Sequence, residues 1–103
     1  MYIGKIKISN SWEKLETLIQ QQIEGQSGFE FASGTNYQLQ SEGNYGARLC
    51  DYSTEPTEAQ DGERIIGTQT ALYEKDNDSD LYVKTEADVP EGNVWLKIST
   101  VGK

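Results

Sequence analysis

The densest run of chemistry-bearing side chains in this sequence is Asp76-Asn77-Asp78-Ser79-Asp80. Alternating carboxylates can wrap calcium, which takes six or more oxygen ligands. An EF-hand loop begun at Asp76 needs glycine at its sixth position and glutamate at its twelfth, and those positions hold Leu81 and Ala87. The run therefore reads as a polar hairpin turn, which Asp and Asn favour. The other acids also sit mainly in turns. A pair of them could serve glycoside hydrolysis, but solvation accounts for their placement. The chain has no histidine, so the usual general base and the usual zinc ligand are both missing. Cys50 is the one cysteine, and nothing beside it in sequence would lower its pKa, so a buried, inert thiol is expected. These readings predict no catalytic residue, no metal and no cofactor.

The two tryptophans are the other residues able to carry a site, as sugar-stacking platforms or as protein contacts. Trp12 begins an apolar series at helical spacing, with Leu15, Leu18, Ile19 and Ile23, and is read as core. Trp95 shares the parity of Lys97, opposite Val94, Leu96 and Ile98. It belongs either to an outer, contact-making face or to the core of a two-sided sheet.

Those residues must be positioned by short strands. Phe29 and Phe31, Tyr37 and Leu39, Leu81 and Val83, and Val94, Leu96 and Ile98 repeat at period two, the pattern of half-buried strands. Tyr2–Ile8 reads as a first strand. Asn10-Ser11, with Glu13 three residues after Asn10, resembles a capping box opening the one helix, which Gly25 ends. From Phe29 onward the chain reads as strands: Phe29–Phe31, Tyr37–Gln40, Tyr45–Tyr52, Glu63–Ile66, Gln69–Lys75, Leu81–Thr85 and Val94–Ser99. About seven strands with regular turn signals predict a mainly β fold, a small antiparallel sandwich or barrel with one short N-terminal helix.

At 103 residues the chain is expected to form a single domain, residues 1–103. Seventeen acids against nine Lys and Arg give a net charge of −8, which disfavours nucleic-acid and membrane-surface roles. Charge is uneven: the first 23 residues hold three lysines and two glutamates, while Glu24 to Glu63 holds eight acids and one arginine. No apolar run is long enough for a membrane helix or a signal peptide, and a lone cysteine suits a reducing cytoplasm. Asn77-Asp78-Ser79 matches a glycosylation sequon and reads as coincidental without a secretory signal. Several strands carry apolar residues on both parities: Tyr2 against Ile3, Tyr73 against Leu72, Tyr82 against Val83, Trp95 against Leu96. One small interior cannot cover them all, so part should be buried against copies of the chain or another protein, with Trp12, Tyr73, Tyr82 and Trp95 as the interface residues.

Five fragments in order carry a resemblance: Ser11-Trp12-Glu13-Lys14-Leu15, Gly34-Thr35-Asn36-Tyr37-Gln38-Leu39-Gln40, Glu55-Pro56, Gly62-Glu63-Arg64-Ile65 and Leu81-Tyr82-Val83-Lys84-Thr85. The string, Trp12 to Thr85, resembles small bacteriophage virion proteins, the capsid-decoration, head-fibre and tail-attached β-sandwich modules. The resemblance implies a non-enzymatic structural part of a virion, assembled in the host cytoplasm. It implies partners among copies of itself, forming a homo-oligomer such as a trimer, and among other virion proteins. A carbohydrate- or receptor-binding β-sandwich is the alternative reading.

Overall fold

Among the described residues, eight strands and one helix follow in the order β1 (Tyr2–Lys7), β2 (Glu13–Lys14), α1 (Leu15–Gln22), β3 (Asn36–Glu42), β4 (Ala47–Tyr52), β5 (Glu63–Ile65), β6 (Thr70–Glu74), β7 (Asp80–Thr85) and β8 (Trp95–Thr100). The structure is a computed structural model that describes residues 2–42, 46–54, 63–65, 69–75, 79–85 and 94–101. Two four-stranded antiparallel sheets result, one in the order β1-β8-β3-β6 and the other β2-β7-β4-β5. The mainly β class, the antiparallel sheets and the single short helix are as the sequence predicts.

Period-two alternation fills the space between the sheets. In the first sheet Ile6 lies opposite Leu96, Ile98 opposite Leu39, and Tyr37 opposite Tyr73. In the second, Leu49 lies opposite Val83 and Ala47 opposite Ile65. All are buried, and they form one apolar cluster with Leu15, Leu18 and Ile19 of the helix. A Leu or Ile buried in this way contributes about 1.5–3 kcal/mol relative to its exposed state.

Two local readings of the sequence are corrected. The helix begins at Leu15, not after an Asn10-Ser11 cap: Glu13 and Lys14 instead pair with Val83 and Tyr82 as β2, and Lys14 precedes the helix in an extended conformation. The capping-box side chains are engaged elsewhere. Glu13 Oε1 accepts from Ser9 Oγ at 2.8 Å, and Asn10 Oδ1 accepts from Thr85 Oγ1 of β7. Trp12 therefore does not lie on the helix.

Phe29–Phe31 is the second correction. These residues lie in a looped segment, with the Phe29 N–H donating to the Gln26 carbonyl and the Phe29 carbonyl accepting from Gln20 Nε2. Their spacing reflects an aromatic cluster. The Phe31 ring meets Phe29, Tyr37 and Tyr73 edge to face at centroid separations of 5.0, 4.8 and 5.1 Å. Each such pair adds about 0.5–1.5 kcal/mol beyond its buried area. The polar turn Asp76 to Asp80 lies partly outside the described residues, as do the proline-containing loops.

Helix α1 covers the outer edge of β1. Gln22 acts there as a substitute strand: its Oε1 accepts from the Lys7 N–H at 2.8 Å and its Nε2 donates to the Lys7 carbonyl at 2.9 Å. Beside it, Ile23 packs on Gly4, where the β1–β8 register shifts. Gly4 has φ +153°, and a Cβ there would stand 2.7 Å from Ile23 Cδ1. Gly4→Ala is expected to destabilise the fold by about 1–3 kcal/mol, the cost of a non-glycine residue in so sparsely populated a conformation. Urea unfolding with an unchanged midpoint would show that the edge tolerates a side chain.

Candidate functional site

The outer face of β1, β8 and β3 concentrates positive charge around an aromatic ring. Along β8, Leu96 and Ile98 point inward and are fully buried, while Trp95, Lys97 and Ser99 alternate with them and are half-buried. Register then sets the neighbours: Lys7 lies opposite Trp95, Lys5 opposite Lys97, and Glu42 flanks Trp95 from β3. Lys5 Nζ stands 4.9 Å and Lys7 Nζ 5.5 Å from the Trp95 ring centroid. Each cation–π contact is worth about 0.5–1 kcal/mol at such exposure. Lys5 Nζ also reaches Glu42 Oε1 at 3.4 Å, but both side chains are nearly half exposed, so the pair adds little. Three lysines face one glutamate here, on a chain whose net charge is −8.

One feature of this face runs against sheet stability. Lys5 and Lys97 are direct cross-strand partners, and like charges in that relation destabilise a sheet. An anionic surface laid over them would reverse the sign of that interaction. The exposed outward side chains on the rest of the sheet are uncharged on β3, Asn36 and Gln38, and include the acid Glu74 on β6.

The other sequence-predicted interface residues lie elsewhere. Tyr73 is buried within the sandwich, against Phe31. Trp12 and Tyr82 form a second, smaller buried cluster with Cys50 on the outer face of the second sheet, where Cys50 and Tyr82 are register partners. Within the chain itself these three aromatics are packing residues, and Trp95 alone of the four retains substantial exposure. Lys84 of β7 is buried and donates to the Thr85 carbonyl at 2.7 Å.

Asp80, the described acid of the 76–80 run, is tied into an ion network. Lys75 Nζ donates to Asp80 Oδ1 at 3.0 Å, and Lys14 Nζ stands 3.5 Å from Oδ2. The hydrogen bond from Lys75 holds the Asp80 carboxyl below its ordinary value. This pairing stabilises the fold above the ordinary Asp range, and the stabilisation is lost as pH falls through the lowered value. Burial raises the nearby Glu16 carboxyl, which acts in the opposite sense. Among the described residues, no three His, Cys, Asp or Glu side chains are grouped so as to hold a metal ion.

A cleft of about 390 Å³ opens between the sheets beside β4 and β6. Leu39, Leu49, Ala71, Tyr73 and Leu81 form its buried wall, and Asp51, Tyr52, Leu72 and Glu74 are its exposed residues. No protein-family model matches the chain, and no characterised protein or solved structure is significantly similar to it.

The sequence left Trp95 on either an outer face or the core of a two-sided sheet; the structure puts it on the outer face, beside Lys5 and Lys7, which the sequence did not single out. Their alternation on β1 is plain in the sequence; what was lacking is the register that sets β1 against β8. Trp12→Ala is expected to lower stability by about 3–5 kcal/mol, as for other buried aromatics truncated to alanine. A thermal melt within a degree or two of wild type would show that the Trp12–Cys50–Tyr82 cluster contributes nothing.

Proposed function

We propose that this chain is a non-enzymatic structural module of a phage virion, working through protein contacts, and that the Trp95 face makes the contact with other virion proteins. The observation that carries the reading is the clustering of Lys5, Lys7 and Lys97 around a half-buried tryptophan on a regular sheet face. Aromatic rings with flanking cations are common anchors of protein interfaces, where charge sets partner choice and association rate. The partner fitting this face is an acidic protein surface, which would relieve the Lys5–Lys97 opposition. The fragment order between Trp12 and Thr85 supports the virion assignment. A sugar-binding role is less favoured, because two lysine ammonium groups stand over the ring on which a sugar would stack.

Co-sedimentation with phage particles that lack the protein tests this reading. Trp95→Ala and Lys97→Glu are each expected to weaken particle binding at least tenfold while leaving the melting temperature within a few degrees. Wild-type binding should fall as salt rises. Unchanged binding by both variants would remove the Trp95 face from the account, and binding to glycans alone would favour the sugar-binding alternative.

A further inference from the structure

We propose that β6 is a self-pairing edge, through which two copies join antiparallel about a two-fold axis at Leu72 and merge their first sheets into one continuous sheet. The inference goes beyond the reading above by adding a contact between copies of the chain, and it uses a surface separate from the Trp95 face.

Among the described strands, the two sheets end in four edges, β1, β6, β2 and β5. Exposed edges invite pairing with other chains, so proteins shorten, bulge, charge or cover them. β1 is covered by α1 and capped by the Gln22 amide, carries Lys5 and Lys7, and shifts register at Gly4. β2 spans two residues and β5 three. β6 differs: its five residues, Thr-Ala-Leu-Tyr-Glu, contain no proline, no inward charge and no bulge. Among the described strands it has β3 on one side and none on the other. At its centre Leu72 is 70% exposed, the most exposed large apolar side chain described. Tyr52, 45% exposed, lies on the same flank beside the inter-sheet cleft.

The strand is self-complementary about that centre. A two-fold axis at Leu72 sets Leu72 against its own copy, so both exposed side chains are covered together. It sets the small inward Ala71 against the large inward Tyr73 of the second copy, continuing the buried face of the sheet. It sets Glu74 against Thr70, so no like charges meet directly. The two Glu74 carboxylates then stand about 13 Å apart along the strands, beyond the Debye length of about 8 Å at physiological salt. The lysines within the strands of this sheet lie at its far side, on β1 and β8, Lys75 just past β6 is paired with Asp80 of β7, and the row beside β6 is Asn36, Gln38 and Gln40, all neutral. Two copies of an acidic chain can therefore approach along this edge. A slip of one residue in the pairing would set Leu72 against the inward Ala71 or Tyr73 of the second copy and turn the apolar face of one copy outward. Moving the axis to Ala71 or Tyr73 keeps the faces aligned but sets Leu72 against Thr70 or Glu74 and leaves it without its own copy as cover.

Cysteine cross-linking and sedimentation test the proposal on the full chain. Under mild oxidation Leu72→Cys should form a disulfide-linked dimer, while wild type, whose Cys50 is buried, should not. Thr70→Cys and Glu74→Cys should cross-link efficiently only when the two variants are mixed. In sedimentation across a hundredfold dilution series, wild type should pass from dimer to monomer, and Leu72→Lys should weaken the dimer at least tenfold. A wild-type chain that stays monomeric throughout would overturn the proposal. So would a dimer indifferent to Leu72→Lys, or cross-linking through Thr70→Cys alone. Dimerisation and particle binding are read separately, so either can fail while the other stands.

Discussion

Two sheets share one interior, and each strand can give it only every second side chain. That constraint falls hardest on β8, which lies between β1 and β3 and presents Leu96 and Ile98 to the core. Leu96 is set against Ile6 on one side and Ser41 on the other, and Ile98 against Gly4 and Leu39. A slip of one residue would bury Trp95 and Lys97 and expose two fully buried aliphatics. The register that builds the core therefore also fixes the outer face, where Trp95 meets Lys5 and Lys7. Site and core are two sides of one strand.

The helix is best understood as part of the same arrangement. It gives Leu15, Leu18 and Ile19 to the interior, and its last turn closes an edge. Gln22 satisfies the N–H and carbonyl of Lys7, which a further strand would otherwise claim, and Ile23 seats against a glycine that no larger residue could replace without strain. A chain of 103 residues has only a modest core, with total stability on the order of 5–15 kcal/mol. Closing edges with side chains already in place keeps the sandwich discrete without adding strands. The contrast with β6 makes its exposed leucine informative, since an isolated exposed apolar residue would otherwise need no explanation.

The strands were legible because alternation records one-sided burial directly. Tyr37 and Leu39, Leu81 and Val83, and Leu96 and Ile98 all point inward as their parity implies. The helix start was not legible. Asn10 and Glu13 have the chemistry of a cap, but Thr85 and Ser9 offer partners that only the folded chain brings near. Phe29 and Phe31 misled in another way, since two rings packed around Tyr37 have the same spacing as a strand. Trp12 is buried, as read, yet on the outer face of the second sheet, because β2 displaces the first turn of the expected helix. At the candidate site parity set Trp95 opposite Leu96 and Ile98 but left open whether that face was outer or core, and its lysines depended on cross-strand register, a long-range property. Of the doubly apolar strands, Tyr82 is covered by Trp12 and Trp95 lies beneath lysines, while Tyr2 and Leu72 remain exposed.

The two long edges of the first sheet are treated differently: β1 is closed by α1 and the Gln22 amide, while β6 is left open with Leu72 exposed. Residue-resolved amide hydrogen exchange on the dilute chain measures this most directly. The slowest exchange is expected at the centre of β8 and β3, with marked protection of the Lys7 amide beneath Gln22 and fast exchange on the outward-bonding side of β6 that slows as concentration rises. Protection of the whole of β6 equal to that of β3 at every concentration, or a Lys7 amide that exchanges as freely as a loop, would contradict this difference between the two edges.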